Sequence, residues 1–334
     1  MASVKTSQIV AAAVLVLLAL VPVAASAFGQ PFYVTLFTRI LIFALAAMSL
    51  NLILGFGGMV SFGHAMYIGL GAYAVGVLSH HGVGNGWVHL AAGLGAGTVV
   101  ALAVGSICLR TSGMAFIMIT LAFAQMLFFL AVSLKEYGGD DGMPLAARSD
   151  FGLFNLGHNT ALYYTALAVL VAALLVFHRL LHARFGWVLR GCKSNARRMA
   201  ALGFATFRYQ LAAYVISALG CVLAGMLLAN LTRFVAPAYM SWTVSGELIV
   251  MCVLGGLATL VGPIVGAVAL LLLEELLTSV KFGVGWIDAL LNQHWLGAVG
   301  LFIVAVVLVL KQGLYGRLVA SDDAKEAARE ERTP

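Results

Sequence analysis

Residues 55–78 read GFGGMVSFGHAMYIGLGAYAVGVL: an apolar run with no Asp, Glu, Lys or Arg, interrupted near its start by Gly57-Gly58. Such a run is apolar all round, as a helix in lipid or deep in a bundle is. The glycine pair marks a place where that helix breaks. Residues 248–277, LIVMCVLGGLATLVGPIVGAVALLLLEELL, repeat the arrangement around Gly255-Gly256. The fold class follows from these two stretches and from how much of the chain resembles them.

Working outward, the 334 residues are 62% hydrophobic and only 10% charged, with a mean hydropathy of +1.03. Soluble domains carry about 45–50% apolar and about 25% charged residues, so the excess apolar surface must face lipid or other helices. About 20 apolar residues cross a bilayer core. Segments of that kind cover 8–28, 32–54, 61–78, 88–109, 113–134, 161–181, 209–229, 248–261, 263–280 and 295–310. The expectation is an all-α polytopic membrane protein of about ten segments. Residues 1–320 form one transmembrane domain and 321–334 a polar tail. The eighth and ninth segments are short and parted only by Gly262-Pro263, so they also fit one broken helix plus a half-helix. The first segment, with Lys5 before it and Ala25-Ser26-Ala27 at its end, fits either a retained helix or a signal peptide. Cys108, Cys192, Cys221 and Cys252 are scattered, without a CxxC pair or zinc-ligand spacing; they read as small buried residues, and no metal site is expected.

Charge sets the orientation. Residues 179–208 carry Arg179, Arg184, Arg190, Lys193, Arg197, Arg198 and Arg208 with no acid, whereas 135–160 carry Glu136, Asp140, Asp141 and Asp150 against Lys135 and Arg148. One predicted helix joins the two loops. Basic loops stay in the cytoplasm, which also places Lys5, Arg110, Lys311 and Arg317, and hence both termini, inside.

Interrupted, glycine-rich helices line substrate routes in many transporters, because non-helical backbone at membrane depth survives only beside protein or water. Gly57, Gly58, Ser61, His64, Gly255, Gly256, Gly262 and Pro263 are therefore candidate pathway residues; Gly69, Gly71 and Gly76 fit helix packing equally well. Five spans separate the two broken regions, which suits an inverted repeat. His64 is an ionisable group in a span, but a lone His also serves as a helix-to-helix hydrogen-bond partner. Arg39, Glu274 and Glu275 fit snorkelling to an interface.

In the basic loop, residues 194–203 suit a short amphipathic helix. Ser194 or Asn195 caps it, Met199, Ala200 and Leu202 give it an apolar side, and Gly203 ends it. It fits docking to a partner protein or lying against anionic headgroups.

Together these motifs resemble the permease subunits of branched-chain amino acid ABC importers. The likeness runs from Arg39 to Leu318, through MSLNLILGFGGMVSFGHAMYIGLGAYAVGVL (48–78), GGDDG (138–142), Gly186-Trp187…Arg190…Asn195…Ala201-Leu202-Gly203, Gly246-Glu247, LGGLATLVGPIVGA (254–267) and GLYGRL (313–318). The resemblance implies a bacterial inner-membrane subunit working with a second permease, two cytoplasmic ATP-binding subunits and a periplasmic substrate-binding protein. It also implies that Arg190, Asn195, Ala200, Ala201 and Gly203 belong to the loop that docks into the ATPase. The family places an acid early in that helix; here Ala196, Arg197 and Arg198 stand there. The chain has no GxxxxGK[ST] loop, so ATP would be used by the partners; no cofactor, enzymatic role or nucleic-acid partner is expected. Urea, amide or aromatic-acid permeases and a stand-alone secondary transporter are the alternatives. The latter, like a proton pump, would call for more buried carboxylates.

Overall fold

The computed structural model describes residues 6–27, 29–152 and 156–279, and beyond them 297, 299–304, 308 and 313–317. Its helices are α1 (Thr6–Ala27), α2 (Pro31–Asn51), α3 (Ala65–His80), α4 (Gly86–Cys108), α5 (Met114–Ser133), α6 (Asn159–His182), α7 (Arg184–Ala201), α8 (Thr206–Thr232), α9 (Trp242–Gly255) and α10 (Gly262–Ser279). A two-residue ribbon is the only sheet among the described residues, with Met143–Pro144 antiparallel to Phe234–Val235. Among the described residues five helices are long and apolar enough to cross a membrane: Pro31–Phe56, Gly86–Cys108, Met114–Ser133, Asn159–His182 and Thr206–Thr232. The chain is thus an all-α membrane protein. Nine predicted segments each meet a helix; half of the tenth, 295–310, and the whole tail 321–334 lie outside the described residues.

The bundle is built around α2 and α8. In α2 94% of the spanning window is buried and in α8 67%, against 28%, 22% and 28% in α4, α5 and α6. Small residues let the central helices touch: a Cβ on Gly71 of α3 would strike the Val222 carbonyl, and one on Gly225 of α8 the Ile68 carbonyl. Gly71, offered by the sequence as a packing residue, has that role here. By contrast α5 buries a narrow stripe (Phe116, Thr120, Ala124 and Ala131) and exposes Met114, Met118, Met126, Phe129 and Leu130.

Several boundaries differ from the sequence expectation, each for a local reason. The sequence puts the eighth segment at 248–261, but α9 starts at Trp242, where the Ser241 hydroxyl accepts from the Thr243 amide (3.4 Å), and stops at Gly255 because Gly256 turns to φ +121°. The third helix begins at Ala65, not residue 61, because the break after Gly57 takes up the residues between. The basic loop is a longer helix than 194–203: α7 starts at Arg184 and kinks at Asn195 (φ −160°, ψ 98°).

The largest difference concerns the inverted repeat. α2 and α9 both run toward the basic end of the molecule, and both breaks lie there in contact. A two-fold axis in the membrane plane would send equivalent points to opposite ends, so Gly57-Gly58 and Gly255-Gly256 are not its equivalent points.

Candidate functional site

The first break begins with a π-helical turn, Leu52–Phe56, which widens the end of α2 just after Asn51. Asn51 is 1% exposed. Its side-chain nitrogen donates to the Thr259 carbonyl (2.7 Å), and its side-chain oxygen accepts from the Ala258 amide (3.3 Å). One amide therefore satisfies a donor and an acceptor left open in the second break, where Ala258 sits at φ +60°. Gly55 must be glycine for this to happen: a Cβ there would lie 2.5 Å from the Ala258 nitrogen and strike the Asn51 side chain. Within the second break Thr259 accepts from the Gly262 amide (3.1 Å) and donates to the Gly256 carbonyl (2.7 Å). Leu314 and Tyr315 donate to the open carbonyls of Leu254 and Gly255 at 2.8 and 2.9 Å, closing the end of α9. The predicted residues Gly57, Gly58, Gly255, Gly256, Gly262 and Pro263 are thus gathered at one end, with Asn51 between the two breaks.

The basic helix reaches the same place. The Lys193 ammonium donates to the Gly55 carbonyl (2.7 Å), and the Arg190 guanidinium lies over the Phe56 ring (5.5 Å to its centroid). Gly58, at φ +70°, makes room for the Lys193 stem, which a Cβ would meet at 2.8 Å. Past the kink, Asn195 accepts from the Arg198 amide (2.9 Å), an N-cap for the short second half of α7. Gly203 ends it at φ +88° with open space on its Cβ side. Ala200, Ala201, Leu202, Gly203 and Phe204 form an exposed tip, with Leu202 67% exposed. Behind the tip Cys192 is buried, which raises its thiol above the ordinary range.

Ser61 and His64, predicted with the glycines, are elsewhere. Both are 0% exposed. His64 bridges Ser61 (2.9 Å) and Ser217 of α8 (3.0 Å), and Ser217 donates to the Ser49 carbonyl of α2 (2.6 Å). Ser245 of α9 accepts from the Ala65 amide (2.9 Å), and Thr120 of α5 from the Phe62 amide (3.3 Å). The His64 ring also stands edge-on to Tyr67 and Tyr214. Both ring nitrogens are occupied, and the cluster ties α2, α3, α5, α8 and α9 together. A cavity of about 230 Å³ lies at the acidic end, lined by residues including Trp87, Leu90, Phe151, Thr165, Leu223 and Asn230.

At that acidic end His89 holds Ser149 (2.8 Å) and the Val83 carbonyl (2.7 Å), and Asn230 accepts from the Ser149 amide (2.7 Å). Arg148 donates to Leu156, Gly157 and Asn159; burial and then the neighbouring Arg233 lower its guanidinium pKa. Among the described residues no group of three or more His, Cys, Asp or Glu could hold a metal ion.

Comparison with known proteins adds a family. Residues 32–312 match the family described as the branched-chain amino acid transport system, permease component. Over 303 residues the chain is 26% identical to the high-affinity branched-chain amino acid transport system permease protein LivM of Escherichia coli K12, covering 83% of this chain and 68% of LivM. It is 25% identical over 294 residues to the corresponding protein LivH of the same strain, covering 82% of this chain and 91% of LivH. No solved structure gives a significant match.

Proposed function

This chain belongs to the permease family of branched-chain amino acid transport systems, and on that footing we propose that it is the membrane-spanning subunit of an ATP-driven importer for branched-chain or related amino acids. Two cytoplasmic ATP-binding subunits, a second permease and a periplasmic substrate-binding protein complete the assembly in the bacterial inner membrane. The chain crosses about ten times, with its basic end and both termini in the cytoplasm.

The observation that carries this proposal is the pair of contacts from α7 to the break, Lys193 to Gly55 and Arg190 to Phe56. The exposed tip at Ala200–Phe204 is the docking element for an ATP-binding subunit, and Arg197 and Arg198 suit an acidic surface on it. Closure of the ATP-binding pair pushes this tip. Lys193 passes the push to the π-turn of α2, and Asn51 passes it to the second break. Gly57, Gly58, Gly255, Gly256, Gly262 and Pro263 then shift beside the substrate route; Ser61 and His64 hold the helices that move. A device that must move suits a place where helical hydrogen bonds are already replaced by side-chain contacts.

The test is a pull-down of the tagged chain from mild detergent, with an ATPase assay on what co-purifies. An ATP-binding subunit that binds the wild-type chain but not Gly203→Val supports the proposal. A transport-competent chain that never recruits an ATPase counts against it.

A further inference from the structure

Three charged side chains on neighbouring helices take no part in the contacts between the breaks or in the His64 cluster. Arg39 lies in α2, Glu247 in α9 and Glu274 in α10, and these three helices pack on one another. Backbone contacts fix the register. The Cys252 thiol of α9 reaches the Ala47 carbonyl of α2 (3.1 Å), and Asn51 reaches Thr259 (2.7 Å), so α2 and α9 run parallel and Arg39 is level with residue 244. Gly255 abuts Gly262, and Gly266 abuts the 251–255 turn, so α10 runs antiparallel and Glu274 is level with residues 243–245. Glu247 lies less than one helical turn, about 5 Å, below them.

Arg39 and Glu247 are exposed and Glu274 half-exposed. Among the described residues none of the three has a hydrogen-bonded or ion-paired partner for its charged group; Arg39 only lies over the Phe43 ring (5.6 Å). Charges at membrane depth face a partner or a watery space rather than lipid. Here a cation and two carboxylates come to one level from three helices without closing on one another, toward the acidic end where α9 begins.

We propose that Arg39, Glu247 and Glu274 form a recognition site for a zwitterion, the α-ammonium and α-carboxylate of a free amino acid. The site rests on the importer reading and deepens it. Arg39 presents a planar fork of donors to the carboxylate; Glu247 and Glu274 accept from the three N–H bonds of the ammonium. The site reads the backbone charges common to all amino acids and leaves the side chain free. It lies toward the acidic end, the side from which the proposed importer takes its substrate.

The test uses the full-length chain in nanodiscs of phosphatidylglycerol, with saturation-transfer NMR of L-leucine. L-leucine binds; leucinol, which lacks the carboxylate, and 4-methylpentanoate, which lacks the ammonium, compete poorly. Arg39→Gln and Glu247→Gln each weaken binding roughly tenfold or more, the worth of one charge-assisted hydrogen bond, while Arg39→Lys retains part of it. Equal competition by leucinol or 4-methylpentanoate overturns the site, and needs no variant to fold. Displacement of leucine by added phosphatidylethanolamine also overturns it, by making it a lipid-headgroup site. Uptake assays separate the two proposals. Leucine uptake that survives Arg39→Gln, Glu247→Gln and Glu274→Gln removes the site and leaves the importer standing. A wild-type chain without ATP-linked uptake removes the importer, and the binding measurement then decides the site by itself.

Discussion

The Lys193 ammonium donates a 2.7 Å hydrogen bond to the carbonyl oxygen of Gly55, joining the basic helix α7 to the π-turn that ends α2. That carbonyl belongs to a stretch whose helical pairing has been spent on a break, so the side chain supplies a contact the backbone lacks. Lys193 is therefore a local stabiliser, and in the coupling route proposed above it is also the link that carries the push.

Lys193→Met removes the donor and keeps most of the stem. Its expected effect is a fall in transport of roughly tenfold, the scale of one charge-assisted hydrogen bond, with insertion and subunit recruitment retained. Lys193→Arg should keep part of the transport. ATP hydrolysis by the assembled complex, measured beside uptake, separates the cases: continued hydrolysis with reduced uptake is uncoupling. Unchanged uptake in Lys193→Met would show that the contact transmits nothing.

Asn51→Leu addresses the joint between the breaks. It keeps the side-chain size but orphans the Ala258 amide and the Thr259 carbonyl, at about 1–3 kcal/mol for each buried group. Asn51→Asp, which still accepts from Ala258 but cannot donate to Thr259, should fall between. Unfolding of the purified chain in mixed detergent micelles gives the order wild type, Asp, Leu. Equal stability of all three would mean that water replaces the lost partners and that Asn51 does not hold the breaks together.

His64 is expected to be structural. Interhelical hydrogen bonds in membranes average about 0.6 kcal/mol and reach about 1.7 kcal/mol, so Ser217→Ala should cost that scale of stability and His64→Ala more, because it also empties a packed site. Transport per folded molecule should stay near wild type in Ser217→Ala. A change in substrate preference in either variant would move His64 from the scaffold to the route.

Much of this was legible in the sequence, for reasons that can be named. Apolar run length placed nine helices because lipid leaves the backbone no other solution. The glycine pairs at Gly57 and Gly255 marked both breaks, and Asn195 and Gly203 marked the cap and end of the exposed tip, because those positions answer to local rules. Long-range partnership was not legible. Nothing near Asn51 announces that its amide serves residues 258 and 259, and Lys193 looked like one of seven basic residues in a loop. Arg39, Glu247 and Glu274 are far apart in the chain; Arg39 and Glu274 each alone resemble a side chain reaching for an interface, and Glu247 stands out only as part of a family motif. One signal was available: a buried Asn one turn before a glycine-rich break is an amide with no helical reason to be there.

Cysteine chemistry can test the orientation on which the coupling argument depends. All four native cysteines are buried, and burial raises the Cys192 thiol above its ordinary range. Because the thiolate is the reactive form, the wild-type chain should label slowly with maleimides at neutral pH and faster as pH rises toward the thiol's raised range. Against that quiet background, Ser194→Cys places a reactive thiol on the exposed side of α7 and Asp141→Cys one in the acidic loop. In intact cells with the outer membrane permeabilised, a charged, membrane-impermeant maleimide should block Asp141→Cys and spare Ser194→Cys until the inner membrane is opened. The reverse pattern would put α7 outside the cell, beyond reach of any cytoplasmic ATPase, and the docking proposal would fall with it.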